Sequence, residues 1–180
     1  MAVTSIEDLF VNELRDIYSA EKQLTRALPR MAKAAKHPEL LEAFETHLEE
    51  TRGQIERLDQ VFEQLDLAKR AKKCEAMEGL IEEARANMEE LDDKALLDVG
   101  MIISAQKVEH YEIAGYGSLV ALARQLGHKE AAGLLEQTLG EEKATDQKLN
   151  QIAASVNADA ADTGTTQAKR GAKSGSRSAG

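Results

Sequence analysis

The sequence predicts an all-α protein built as a four-helix bundle, and three observations carry that prediction. Ala, Leu, Glu, Gln and Lys dominate a chain with two prolines and no tryptophan, and 31% of its residues are charged, a composition of strong helix formers. Apolar residues recur at three- and four-residue intervals over four long stretches, as on a helix with one buried face. Short polar breaks join these stretches in two pairs, and long helices joined so briefly must be antiparallel neighbours. At 180 residues the chain suffices for one domain with a real core and falls short of two.

Thr4, with Glu7 three residues on, reads as a capping box opening the first helix. The apolar stripe that follows is Ile6, Leu9/Phe10, Leu14, Ile17, Leu24, Leu28 and Met31, with Glu21 inside it. Lys36-His37-Pro38-Glu39 is a tight connection that places Pro38 in the first turn of a second helix. That helix carries Leu41, Phe44, Leu48, Ile55, Leu58 and Phe62 on one face and runs to about Leu67. A basic run at residues 69–73, a short helix at 75–91 and Asp92-Asp93 as a candidate cap form a long crossover. The third core helix, 94–125, has Leu96, Val99, Ile102/Ile103, Ile113, Tyr116 and Val120 on its core side. After Leu126-Gly127-His128 the fourth carries Ala131, Leu135, Leu139, Leu149 and Ile152.

One pair, a long connection and a second pair is the connectivity of ferritin-like bundles. The predicted fold is therefore a ferritin-like four-helix bundle whose crossover carries a short extra helix between the second and third core helices. Residues 1–158 are assigned to the bundle. Residues 159–180, mostly Ala, Gly, Ser, Thr, Lys and Arg without apolar period, are assigned to a flexible basic low-complexity tail.

The net charge of −9 is unevenly placed: residues 162–180 carry four basic groups and one acid, leaving the body at −12. An acidic body argues against nucleic-acid binding and suits the attraction of cations, and four basic charges without aromatic residues do not reverse that. The single cysteine, Cys74, rules out an intrachain disulfide, and no amino-terminal stretch reads as a signal peptide, so a cytoplasmic location is expected. No apolar run approaches the roughly 18 residues of a membrane helix, so no membrane partner is expected.

Charged residues are almost never fully buried, so an acid in phase with an apolar stripe is informative. Each core helix supplies one: Glu21, Glu49, Glu109 and Glu142, with Asp146 one turn beyond the last. Glu21 and Glu49 lie about 15 and 13 residues from the first hairpin turn, and Glu109 and Glu142 about 18 and 15 from the second, close to level at about 1.5 Å per residue. Four ionised carboxylates in a low-dielectric interior repel one another, and two divalent cations would neutralise them. Oxygen-rich sites suit iron, manganese or magnesium, and a two-metal site can hold one small oxygen species between its ions. Set against this, some acids of a charged helical chain fall near the stripe by chance, and snorkel or pair with Lys or Arg.

The segments Tyr18-Ser19-Ala20-Glu21-Lys22-Gln23-Leu24, His47-Leu48-Glu49-Glu50-Thr51, residues 105–114 and Glu141-Glu142-Lys143-Ala144-Thr145-Asp146 resemble the bacterial YciE/YciF ferroxidase family of ferritin-like, rubrerythrin-related proteins, over about residues 4–155. The resemblance implies a homodimer with a dinuclear metal centre and a part in stress responses. In the wider di-iron pattern two helices give a Glu each and two give Glu-x-x-His. Glu21 and Glu109 match the single carboxylates, and Glu49 and Glu142 match the Glu of the pairs. Arg52 and Thr145 stand where the histidines belong, so the expected site is oxygen-dominated with one metal weakly held, Asp146 in place of one histidine and Arg52 bonding Glu49.

Glu112 and His110 are further possible ligands, and Tyr18 and Tyr116 possible hydrogen-bond donors to the carboxylates. His47 is read as a hydrogen-bonded flank residue, His37 and His128 as solvated, and Cys74 as a small packing residue. The functional expectation is a ferroxidase-like centre of two divalent ions, iron first and manganese possible, reacting with dioxygen or peroxide. The alternatives are manganese-dependent peroxide disproportionation and a non-enzymatic helical stress protein without metal.

Overall fold

The computed structural model of the protein describes residues 3–175, with side chains described through residue 161. Five helices, α1 (Ile6–Ala34), α2 (Pro38–Gln64), α3 (Glu75–Glu90), α4 (Lys94–Leu126) and α5 (Lys129–Gly175), make up the fold, with no strand among the described residues. The compositional boundary at 158/159 is not a helix end, since α5 continues to Gly175. The expected flexible tail falls on residues whose side chains, from 162 on, lie outside the described ones, as do residues 176–180 altogether.

The helix ends follow local chemistry. The capping box of α1 is one residue later than expected: Ser5 Oγ accepts from Asp8 N at 3.0 Å and Asp8 Oδ2 accepts from Ser5 N at 3.1 Å. Thr4 instead donates its hydroxyl to the same Asp8 carboxylate. Pro38 opens α2, while α2 stops at Gln64, ahead of the left-handed Asp66. Asp93 caps α4 through Ala95 N and Leu96 N, and Gly127 closes it at φ 81°, a conformation that favours glycine.

Two contacts set the helix directions. At one end, Phe10 of α1 stacks on His128 at the α4/α5 turn, ring centroids 5.8 Å apart. At the other, Asp98 near the start of α4 accepts from Lys36 N at 2.8 Å and His37 N at 2.7 Å in the α1/α2 turn. Hence α4 runs antiparallel to α1 and parallel to α2, and the chain from α2 to α4 must climb the bundle, about 40 Å at 1.5 Å per residue. That climb is pinned to α1 where Lys72 N donates to Arg15 O and Cys74 N to Ser19 Oγ, both at 3.1 Å. Helix α3 then packs against α1 and α4, outside the bundle of α1, α2, α4 and α5.

Each core helix presents a seam at alternating four- and three-residue steps: Phe10, Leu14, Ile17, Glu21, Leu24, Leu28 and Met31 in α1, and Leu40, Phe44, His47, Thr51, Gln54, Leu58 and Val61 in α2. Full burial of a leucine such as Leu14 or Leu58 stabilises by roughly 1.5–3 kcal/mol. Several predicted core residues lie off these seams. Ile6, Leu9, Leu96 and Ile103 are exposed, and Leu41, Leu48, Ile55, Val99, Ile113 and Leu139 are only partly buried.

Candidate metal centre

Halfway along the bundle the seams turn from apolar to ionisable. Helix α1 contributes Glu21, α2 His47, α4 Glu109 and Glu112, and α5 Glu142, all buried. One ligand atom each from His47, Glu109, Glu112 and Glu142 can be chosen so that all lie within 4.8 Å of one another. Tyr116 donates its hydroxyl to Glu21 Oε1 at 2.5 Å. His47 Nε2 lies 3.3 Å from Glu109 Oε1, and its Nδ1 lies 3.6 Å from Glu50 Oε2. Glu21 Oε2, Glu109 Oε2 and both oxygens of Glu112 and Glu142 are buried with no hydrogen-bond partner.

The electrostatics follow from that crowding. Burial, then repulsion from Glu142, pushes Glu21 up to about 8 against the pull of the Tyr116 hydroxyl. Glu112 is raised well above the carboxylate range by burial and by Glu21 and Glu142. Glu142 is likewise raised, first by burial, with His47 opposing and Glu109 adding. Glu109 rises through burial, tempered by His47. Burial alone would lower His47, but Glu109, Glu50 and the other carboxylates overcome it and lift it to about 10. A buried acceptor left without a donor costs about 1–3 kcal/mol, more if charged. The cluster therefore calls for protons or a cation, and carboxylates with one imidazole fit iron or manganese.

Of the residues read from the sequence, the structure brings together Glu21, Glu109, Glu112 and Glu142, with Tyr116 bonded to Glu21. Glu49 is not among them: its side chain is 69% exposed and paired with Arg52 on the surface. The reason is register, because the α2 seam passes through Phe44, His47 and Thr51, turning Glu49 outward. Arg52 therefore bonds Glu49 away from the cluster, and a histidine at position 52 would face solvent. The imidazole absent from positions 52 and 145 comes instead from His47, expected only as a flank residue. Its signal was the unbroken four-three spacing of Leu40, Phe44, His47, Thr51, Gln54, Leu58 and Val61, hidden because three consecutive steps are polar.

Asp146 stands at the edge, mostly buried, with Oδ1 3.5 Å from Nε2 of a 69% exposed His110. His110 thus points out of the cluster. Tyr18 donates to Asp59 Oδ1 at 2.8 Å and packs edge-on against Phe62, away from the carboxylates. Cys74 caps α3, with Sγ 2.9 Å from the Tyr111 hydroxyl, and burial raises its thiol. That agrees with a packing role.

Against known proteins, the sequence profile described as Domain of unknown function (DUF892) matches residues 5–161. The chain belongs to the DUF892 family. Protein YciF of Escherichia coli K12 is 55% identical over 154 residues, covering 85% of this chain and 93% of its own length. YciF belongs to the YciE/YciF ferritin-like group, in agreement with the resemblance read from the sequence. The crystal structure of the E. coli stress protein YciF superposes with a TM-score of 0.82, covering 85% of this chain and 97% of that one. YcfI of Rhodopseudomonas palustris gives 0.81 at 48% identity, covering 82% and 94%. A protein from Xanthomonas campestris gives 0.69 at 27% identity, covering 89% and 98%. These structural neighbours agree with a ferritin-like helical bundle. Among the described residues no helix is long and apolar enough to cross a membrane.

Proposed function

We propose that the buried cluster holds two divalent metal ions, iron in the first place, and that the protein reacts with dioxygen or peroxide in the manner of a ferroxidase. The observation that carries this reading is the set of buried carboxylate oxygens on Glu21, Glu109, Glu112 and Glu142 that have no donor. His47, Glu109, Glu112 and Glu142 would hold one ion, and Glu21, which shares its field with Glu142 and Glu112, extends the set toward a second. Asp146 is a further carboxylate at the edge. When bound, ferrous ions would supply the electrons that reduce the oxidant.

The chain's own contribution is placement and exclusion of water. The Tyr116 hydroxyl fixes one oxygen of Glu21 and leaves the other buried without a partner. Glu50 lies beside Nδ1 of His47, whose Nε2 faces Glu109. A cavity of about 20 Å³ lined by Leu24, Val108, Leu149, His47 and Glu109 adjoins the cluster, room for about one water-sized molecule.

Metal content per chain, in the parent and in a Glu21→Ala, Glu109→Ala variant, tests binding. Anaerobic ferrous loading followed by air or peroxide, with oxidant consumption and near-ultraviolet absorbance as readouts, tests the reaction. Rates no faster than the variant's would remove the oxidoreductase reading. The metal carried by protein expressed without metal overload separates iron from manganese.

One contact favours a metal-free reading. His47 Nε2 lies 3.3 Å from Glu109 Oε1, so an imidazolium could pair with Glu109 while the other carboxyls keep protons, as suits a non-enzymatic stress protein. Thermal stability indifferent to chelators and divalent ions would select it. Likeness to the E. coli stress protein YciF supports a stress role, and the cytoplasmic location is proposed from the lone cysteine of the sequence. Leu96 and Ile103, each 49% exposed one heptad apart on α4, support the homodimer, which sedimentation equilibrium tests.

A further inference from the structure

Two openings flank the small cavity beside His47 and Glu109, and they differ in chemistry. Between α2 and α5 lies a surface groove of about 310 Å³ whose charged lining is Glu39, Glu42, Glu50 and Lys148. On the opposite side, between α1, α3 and α4, lies a cavity of about 80 Å³ lined mainly by apolar side chains, with Arg30 and Arg85 as its charged groups. The groove shares Ala43 and Thr145 with the inner cavity, and the opposite opening shares Leu24, Met31 and Val108 with it. Three carboxylates against one ammonium attract a cation, whereas the opposite lining offers it two guanidinium groups and no carboxylate.

The groove connects inward through one buried side chain. Glu50 accepts from Thr145 Oγ1 at 3.4 Å and lies 3.6 Å from Nδ1 of His47. His47 is buried, neither ring nitrogen makes a hydrogen bond, and its Nε2 faces Glu109. Carboxylates thus continue from the exposed Glu39 and Glu42 to Glu50, and through His47 to Glu109. The small side chains of Ala43 and Thr145 line both the groove and the cavity.

We propose that the α2/α5 groove is the port through which a divalent cation reaches the buried cluster, with Glu39 and Glu42 collecting the ion and Glu50 passing it inward beside Thr145. This rests on the metal-binding reading above. It adds the route, and it concerns rate where that reading concerns equilibrium. Charges at a mouth act on association and are screened by salt, while the residues that hold the ion set its final affinity.

The experiment mixes metal-depleted full-length protein with Co²⁺ in a stopped-flow instrument and follows tyrosine fluorescence, which three tyrosines without tryptophan make readable. Glu39→Gln with Glu42→Gln, both exposed sites, is expected to slow uptake about tenfold at low salt, within the range of electrostatic steering, and to leave the metal bound per chain unchanged. The difference should shrink toward 1 M salt, where the screening length is about 3 Å. Glu50→Gln should slow uptake at every salt concentration. Ala27→Met, which fills the opposite cavity, should leave the rate as in the parent. Groove variants loading at the parental rate, or a slowed Ala27→Met, would overturn the port alone. If the parent takes up no Co²⁺ at equilibrium, the metal reading fails and the port fails with it.

Discussion

Replacing Glu21 by glutamine should stabilise the metal-free protein at alkaline pH, although the substitution removes a fully buried carboxylate. Glu21 binds its proton more tightly when folded, at about 8, than at the ordinary 4.5. Between those values the native state holds the extra proton, so its contribution to stability is complete below pH 4.5 and is lost as pH rises through about 8. At about 1.4 kcal/mol per pH unit the loss amounts to about 5 kcal/mol by pH 8. Glutamine carries no titratable proton, and its carbonyl can still accept from Tyr116. Glu21→Gln should therefore match the parent within about 1 kcal/mol at pH 5 and exceed it by about 4 kcal/mol at pH 8. The slope that remains comes from His47, Glu109, Glu112 and Glu142, which are also raised. Urea unfolding of chelator-treated protein at pH 5, 6, 7 and 8, followed by circular dichroism, reads both curves. A variant as destabilised at pH 8 as at pH 5, or a parent whose stability climbs over this range, would refute the reasoning.

With divalent metal present the gap at pH 8 should narrow, since a ligand at 100 times its dissociation constant adds about 2.7 kcal/mol to the parent, and Glu109→Ala with Glu112→Ala should abolish that gain in a thermal-shift titration. Glu49→Ala and Arg52→Ala should leave metal content unchanged and alter urea stability by less than about 0.5 kcal/mol, because the pair is exposed on one helix. Asp98→Ala removes the acceptor for two backbone donors in the α1/α2 turn and should cost about 3 kcal/mol by urea unfolding. Asp98→Asn should cost less. Leu14→Ala, at a wholly buried seam position, should cost about 2–5 kcal/mol in the same assay.

The bundle was legible because apolar periodicity is strong in α1 and α2, because α4 and α5 are long helical stretches joined by a short break, and because a 29-residue gap between α2 and α4 leaves room for a crossover. Glu21 and Glu109 were legible as acids flanked by apolar residues one turn away, and Glu142 as one between Leu139 and Leu149. Helix α2 was misread because His47, Thr51 and Gln54 occupy three successive inward steps. Leu48 and Ile55, one residue later, then looked like the stripe and carried Glu49 with them. Helix α4 misled in the other direction: it is apolar on its outer side as well, so Leu96 and Ile103 passed for core. The capping box slipped by one residue because Thr4-Ser5 offers two hydroxyls and Glu7-Asp8 two acids, and sequence alone does not choose between them.

Because the crossover separates the two hairpins, the cluster is divided before it is assembled. Glu21 and His47 belong to the α1/α2 hairpin, and Glu109, Glu112 and Glu142 to the α4/α5 hairpin. Each hairpin closes through a short turn and so can form early, whereas their docking brings like charges face to face at the middle of the interface. The encounter should be slow in alkaline, metal-free solution and fast where protons or cations cross-link the two halves. On the metal-binding reading proposed above, refolding rate as well as final stability then depends on the supply of divalent cations.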